Sequence, residues 1–242
     1  MKIKIRKLDV GYNGRPVLRD LNFTIPAGEI TVIAGPSGCG KSTVLKTIIG
    51  LIPALSGEIL IDGKLVDYTS EAVLKGLYDR IGVLFQNGAL LNSLSVGENV
   101  ALPVRMSDPG FPEPVLREMV NLQLSRVGLH GVGDMYPVDL SGGMRKRAAL
   151  ARSMVREPEV LFCDEPSAGL DPITSTGLDE LLKGLKEKHA GTLVVVTHEL
   201  RSIEKIADWI ILLHDGRLQF EGKYEDLDAA ANPFIESFFL RK

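Results

Sequence analysis

One stretch constrains the fold more than any other: Gly35-Pro-Ser-Gly-Cys-Gly40-Lys41-Ser42, set between a short apolar run at 29–34 and a helix-forming run at 41–49. The pattern Gly-x4-Gly-Lys-Ser at a strand-to-helix turn is a phosphate-holding loop. Its glycines let backbone N–H groups turn inward, and the helix N-terminus adds partial positive charge. In that geometry Lys41 reaches the β- and γ-phosphates of a nucleotide, and the Ser42 hydroxyl takes a Mg²⁺ position. A dinucleotide fingerprint fails here, because Thr43 stands where Gly-x-Gly-x-x-Gly needs its third glycine.

The rest of the chain fits an α/β protein built around that loop. The segments 3–8 and 17–25 read as strands joined by an Asn13-Gly14 hairpin, and 57–63 as a strand closed by Asp62-Gly63. A buried strand is expected at 81–85. From 87 to 158 the pattern turns helical, with Pro103, Pro109, Pro112 and Pro114 marking kinks or loops. Strands and helices then alternate: 160–163, a helix over 172–188, 192–197, a helix from Leu200, and a late hairpin at Asp215-Gly216. This alternation predicts a largely parallel sheet covered on both faces. We expect one domain over 1–242, with 1–86 and 159–242 as core and 87–158 as an inserted helical lobe.

Composition narrows the function classes. A net charge of −3 gives no electrostatic footprint for nucleic acid. The two cysteines, Cys39 and Cys163, form no Cys-x-x-Cys pair, which argues against a disulfide framework or zinc site. The basic start, Met1 to Lys7, is followed by no apolar stretch, so no signal peptide is expected. No run of about 18 apolar residues occurs, so any membrane role requires a partner.

Two more motifs carry chemistry. Asp164-Glu165-Pro166 ends an apolar strand and alone reads as an ordinary turn; paired with the phosphate loop, it suits Asp164 to meet Mg²⁺ through water and Glu165 to polarise an attacking water. Leu140-Ser141-Gly142-Gly143-Met144 opens a helix with a hydroxyl and two backbone-exposing glycines, a second anion-binding design.

Leu-Ser-Gly-Gly between the phosphate loop and Asp-Glu-Pro resembles the ABC ATPase family, and the likeness covers essentially the whole chain. That resemblance implies the P-loop ABC ATPase fold: a mainly parallel RecA-like core, an N-terminal antiparallel β subdomain and an inserted α-helical subdomain. It implies ATP and Mg²⁺ as ligands. ATP would be held by Tyr12, stacking on adenine, and by Gly35, Pro36, Ser37, Gly38, Cys39, Gly40, Lys41, Ser42 and Thr43. Tyr12 also reads simply as a hairpin tyrosine. The resemblance gives Glu165, His198 and Gln86 catalytic positions, and Ser42, Gln86 and Asp164 the metal. It places Asp171 at a subunit interface, and Ser141, Gly142 and Gly143 against the ATP of a second copy in a head-to-tail dimer. His130, His189 and His214 are expected to be surface or packing residues.

The segment 140–152, with 85–91, 96–103 and 164–174, is similar to the ATPases of Mla-type lipid transporters. This branch implies a membrane permease, an MCE-domain lipid-binding protein, in some systems a STAS-domain subunit, and a place at the cytoplasmic face of the inner membrane. A non-transporting ABC ATPase, such as an iron–sulfur assembly scaffold or an envelope regulator, is the alternative. DNA-repair relatives insert long coiled coils between phosphate loop and signature, for which this chain has no room. The signature departs from the family in ending on Met144 where glutamine is usual. Arg145, Lys146 and Arg147 stand as either a solvated helix face or a set of contacts. Phe234, Ile235, Phe238, Phe239 and Leu240 recur at helical spacing, either to pack on the body or to meet a partner; Arg241-Lys242 does not decide.

Overall fold

The three apolar runs that end in functional motifs become the centre of a six-stranded sheet. In the computed structural model, which describes residues 1–189, 191–230 and 232–239, these are β3 (Ile30–Ala34), β7 (Val160–Asp164) and β8 (Thr192–Thr197). Every residue of all three strands is buried, as a parallel sheet covered on both faces requires. With β6 (Ile81–Leu84), β9 (Trp209–His214) and β10 (Arg217–Lys223) they run in the order β10-β9-β3-β8-β7-β6. All neighbours pair in parallel except β10, which turns back antiparallel on β9.

The pleat sorts the core into two halves. Val194 and Val196 of β8 join Ile33, Phe162 and Ile211 on one face, against α1 (Lys41–Ile48) and the N-terminal sheet. Leu193 and Val195 join Val32, Leu161 and Ile210 on the other. That face meets α3 (Val96–Ser107), α4 (Glu113–Arg126), α5 (Gly142–Met154), α6 (Pro172–His189) and α7 (Leu200–Ile206). Successive strand residues point to opposite faces, so one continuous apolar run supplies both cores.

The N-terminal sheet is antiparallel, ordered β2-β1-β4-β5. β1 (Ile3–Tyr12) turns into β2 (Arg15–Ile25) at Asn13 and Gly14, both at positive φ, as a two-residue hairpin demands. β4 (Ser56–Ile61) meets β5 (Lys64–Leu65) through Asp62-Gly63. β1 runs past the expected end at Leu8 to Tyr12, because register shifts at Leu8, Val10 and Gly11 break its alternation without ending the pairing.

One further difference from the sequence reading has a physical cause, and two expectations take definite form. A helix, α2 (Glu71–Tyr78), precedes β6; it buries only Leu77, too little to leave a periodic signature. Pro103 lies inside α3, while Pro109 and Pro112 flank the break between α3 and α4 and Pro114 sits in the first turn of α4, where its missing N–H costs nothing. The C-terminal aromatics form α8 (Pro233–Phe239), and the ring of Phe234 stacks on His214 at 3.8 Å. This favours the packing reading for Phe234, Ile235, Phe238 and Phe239, all of which contact the helical-side core. Leu240, Arg241 and Lys242 lie outside the described residues. Among the described residues, no helix is long and apolar enough to cross a membrane.

Candidate functional site

Because β3, β6, β7 and β8 are parallel, their C-terminal ends emerge at one edge of the sheet, where open α/β sheets build their sites. β3 feeds the glycine loop and α1, β6 feeds Gln86, β7 ends on Asp164 and Glu165, and β8 leads to His198. Tyr12, Ser37, Gly38, Gly40, Lys41, Ser42, Thr43, Gln86, Glu165 and His198 consequently line one cleft, with Val17 at its wall. Asp164 stands directly behind Ser42. Gly35, Pro36 and Cys39 belong to the loop that forms the cradle.

The loop is glycine-dependent for two reasons. Gly35, Gly38 and Gly40 all adopt positive φ, at 148°, 81° and 104°. In addition, a Cβ on Gly35 would sit 2.2 Å from the Leu213 carbonyl oxygen of β9, so the loop lies against that strand too closely for any side chain. Gly40 caps α1 without a side-chain bond, and the first turn holds no acidic residue. The N-terminal amides of α1 are therefore left for an outside anion.

Lys41 is buried, with 5% of its surface exposed. Its Nζ donates to the Gly35 carbonyl at 2.9 Å and the Pro36 carbonyl at 3.0 Å, and lies 3.8 Å from Glu165 Oε1. The Ser42 hydroxyl donates to Asp164 Oδ1 at 2.6 Å. These are two hard oxygen donors side by side, the chemistry that Mg²⁺ prefers.

Glu165 is held in an unusual way. Its φ is 47°, a left-handed backbone that costs a non-glycine residue about 1–3 kcal/mol. Its own N–H donates to the Val196 carbonyl of β8 at 2.9 Å. His198 Nδ1 lies 2.9 Å from Glu165 Oε1, so one carboxylate oxygen is engaged. The other, Oε2, is buried and has no protein partner. A buried acceptor left open at the mouth of a cleft fits a ligand or water donor.

Tyr12 is half exposed above α1, its hydroxyl 3.3 Å from Thr43 Oγ1, which leaves the ring face free at the cleft. Gln86 is exposed at the same edge.

The signature residues lie elsewhere. Ser141, Gly142 and Gly143 do not line this cleft; Ser141 and Gly142 are exposed. Ser141 caps α5, its hydroxyl accepting the Met144 N–H at 3.3 Å. Asp171 is also outside the cleft and caps the start of α6, accepting from the Ile173 and Thr174 amides and the Thr174 hydroxyl. Those bonds hold its carboxyl below the usual range, the Thr174 hydroxyl foremost.

Met144 packs half-buried against the helical-side core. The basic run after it is only partly a solvated face. Arg145 is exposed, donating to the Leu140 carbonyl, but Arg147 turns onto the Val127 carbonyl and Lys146 is buried. Lys146 Nζ donates to the backbone carbonyls of Gln86 and, at 3.3 Å, Glu165. Arg152, on the same helix, donates to Gly88 and Ala89 at 2.7 and 2.6 Å. Sequence reasoning assigned neither residue to the site. The available signal was positional: Lys146 shares a helix face with the buried Ala149 and Leu150.

His130 is exposed, and the side chain of His189 lies outside the described residues.

The fold and motifs have counterparts among known proteins. Residues 18–168 match the family model described as ABC transporter. The chain is 38% identical over 236 residues to the intermembrane phospholipid transport system ATP-binding protein MlaF of Escherichia coli, covering 98% of this chain and 87% of that protein. It is 36% identical over 238 residues to the probable ribonucleotide transport ATP-binding protein mkl of Mycobacterium tuberculosis. That alignment covers 98% of this chain and 66% of the relative, so the chain spans about two thirds of the mycobacterial protein.

Among solved structures, cbiO1 of Clostridium perfringens, part of the ABC transporter complex cbiONQ, superposes with a TM-score of 0.84 at 31% identity, over 99% of this chain and 94% of that one. The ATP-binding cassette MJ0796, in a dimeric post-hydrolysis state with ADP and Pi, gives 0.82 at 32% identity, over 91% and 98%. The chain belongs to the ABC transporter family. It has that family's P-loop ATPase fold, and it binds and hydrolyses ATP.

Proposed function

We propose that this chain is the motor of an Mla-type lipid transporter, hydrolysing ATP as one half of a head-to-tail pair beneath a membrane permease. The observation that carries the ATPase mechanism is the meeting of Lys41, Ser42, Asp164, Glu165 and His198 in one cleft. The likeness to MlaF along 98% of the chain supports the lipid branch.

Each side chain has a task that its position suits. The α1 amides and Lys41 receive the phosphates, Lys41 exchanging its two loop carbonyls for phosphate oxygens. Tyr12 offers its ring to adenine. Ser42, Asp164 and Gln86 would hold Mg²⁺, which neutralises phosphate charge. Glu165 Oε2 accepts the proton of the attacking water, while His198 fixes Oε1 and faces the terminal phosphate. A second copy supplies Ser141, Gly142 and Gly143 to close the site from above, and Asp171 lies along the seam between copies.

The segment 87–158 acts as the helical subdomain of a single-domain chain whose remaining parts form the core. An open, largely apolar groove between α2 and α3, lined by Leu74, Tyr78, Pro103 and Met106, offers the permease a docking place. In this reading the chain works at the cytoplasmic face of the inner membrane, with an MCE-domain protein and, in some systems, a STAS-domain subunit in the same assembly. The likeness to the mycobacterial ribonucleotide transport ATP-binding protein favours a second reading, a nucleotide as cargo.

Purification from gently solubilised membranes, followed by identification of bound proteins, tests the proposal. Recovery with a permease and an MCE-domain protein supports the lipid motor. Recovery with a permease and a nucleotide-binding protein favours the second reading. Recovery with soluble partners alone retains the ATPase and overturns the transporter.

A further inference from the structure

Lys146 is an expensive residue for its position. Taking an ammonium out of water costs several kcal/mol after relaxation, and only 8% of Lys146 remains exposed. No carboxylate hydrogen-bonds to it among the described contacts; its donors go to two backbone carbonyls. Burial accordingly holds its pKa below the usual lysine range, against the opposing pull of Cys163, Glu165 and Asp164. A neutral apolar residue would fill the same space without that cost.

The two carbonyls belong to Gln86 and Glu165, the residues at the ends of β6 and β7 that face the cleft. Glu165 itself has a left-handed backbone, so a hold on its carbonyl acts where its carboxylate must be aimed. Six positions further along α5, Arg152 grips Gly88 and Ala89 in the same loop. The first turn of α5 carries Ser141, Gly142 and Gly143. One rigid helix therefore joins the signature end to both catalytic elements of its own chain.

We propose that Lys146 is a positioning residue that couples the two composite ATP sites: contact of α5 with the ATP of the partner copy is passed through Lys146 to Gln86 and Glu165 of the same chain. The coupling half of this inference rests on the head-to-tail pairing proposed above. Lys146 touches neither ATP nor water in this scheme. It sets where two backbone segments lie, and a misplacement of about 1 Å at a reacting group can cost roughly 100-fold in rate.

The test uses the full chain, as Lys146→Met and Lys146→Arg, alongside the unaltered protein. Steady-state ATP hydrolysis is measured against ATP concentration, with binding of a fluorescent ATP analogue to the dilute monomer and a thermal melt as companions. For Lys146→Met we expect kcat to fall roughly 10–100-fold, the Hill coefficient to drop toward one, and analogue affinity to stay within about twofold. Lys146→Arg keeps the cation and recovers most of both kcat and cooperativity. Unchanged kcat and Hill coefficient in Lys146→Met overturn the inference. So does equal loss in both variants with a lowered melting temperature, which marks a packing role.

Glu165→Gln provides the separate check on pairing. If it dimerises with ATP on size exclusion while Lys146→Met cooperates normally, only the coupling inference falls. If it stays monomeric, the pairing and the coupling fall together.

Discussion

Two helices in this chain begin with glycines and without an acidic residue in the first turn, and they end up in opposite situations. α1 starts at Gly40, uncapped by any side chain, with Lys41 buried against its own loop and Asp164, Glu165 and His198 close by. α5 starts at Ser141, which closes one of its own amides, and Ser141 and Gly142 face solvent. The same anion-receiving design thus appears once with a full chemical surrounding and once with none. In the function proposed above, the inner end acts on what it binds, and the outer end meets a ligand presented by another surface.

The largest expected effect tests the inner end. Glu165→Gln should lower hydrolysis by about 10²–10⁴-fold while ATP affinity, read by equilibrium binding, changes little. Near-normal turnover would show that the base lies elsewhere and would remove the chemical distinction between the two helix ends. Lys41→Ala comes next. Loss of charge-assisted bonds to phosphate, each worth about 1.5–3 kcal/mol, should weaken ATP binding by roughly 10–100-fold, measured by calorimetry.

Ser141→Ala sharpens the contrast from the other side. The monomer should bind ATP as before, since Ser141 lies outside the cleft. Stability should fall by about 1 kcal/mol through the lost cap, and steady-state hydrolysis should decline with dimer closure. A drop in monomer affinity comparable to that of Lys41→Ala would break the comparison.

The smallest effect belongs to a control remote from both ends. Arg80 pairs with Asp62 and Glu159 on an exposed surface, so Arg80→Met should cost at most about 1 kcal/mol in a denaturant melt. Hydrogen bonds from Arg80 hold both carboxyls below their usual range. A carboxyl depressed in the folded state stabilises fully above its unfolded pKa, and that contribution disappears as pH falls through the folded value. The gap between Arg80→Met and the unaltered protein should therefore narrow in acid.

Much of this architecture was legible because it obeys simple periodicities. β7 and β8 are unbroken apolar runs, and the hairpins at Asn13-Gly14 and Asp215-Gly216 announce themselves by turn chemistry. α2 was not, since eight residues with one buried leucine carry no period. In the site, Lys41, Ser42, Asp164 and Glu165 were readable from motif chemistry, whereas Tyr12, Gln86 and His198 required a family likeness; alone, each is an ordinary residue. Lys146 and Arg152 escaped because charges on a helix are normally solvated, and nothing local says that the carbonyls they serve come from a loop sixty residues earlier and, for Lys146, also from Glu165. Asp171 shows the reverse case: the resemblance gives it an interface, while within one chain it is visibly a helix cap.

The close approach of Gly35 to the Leu213 carbonyl has a genetic corollary. The backbone of β9 is the mould against which the nucleotide loop is cast, although the two segments are far apart in the sequence. Damage that shifts β9 by a few tenths of an ångström would cost the fold modestly, yet would also push the loop out of register with its ligand. A saturation screen scored on ATP binding should therefore light up at 35 and around 213 together, and the second cluster would look like an unexplained distant lesion to anyone reading the sequence in order.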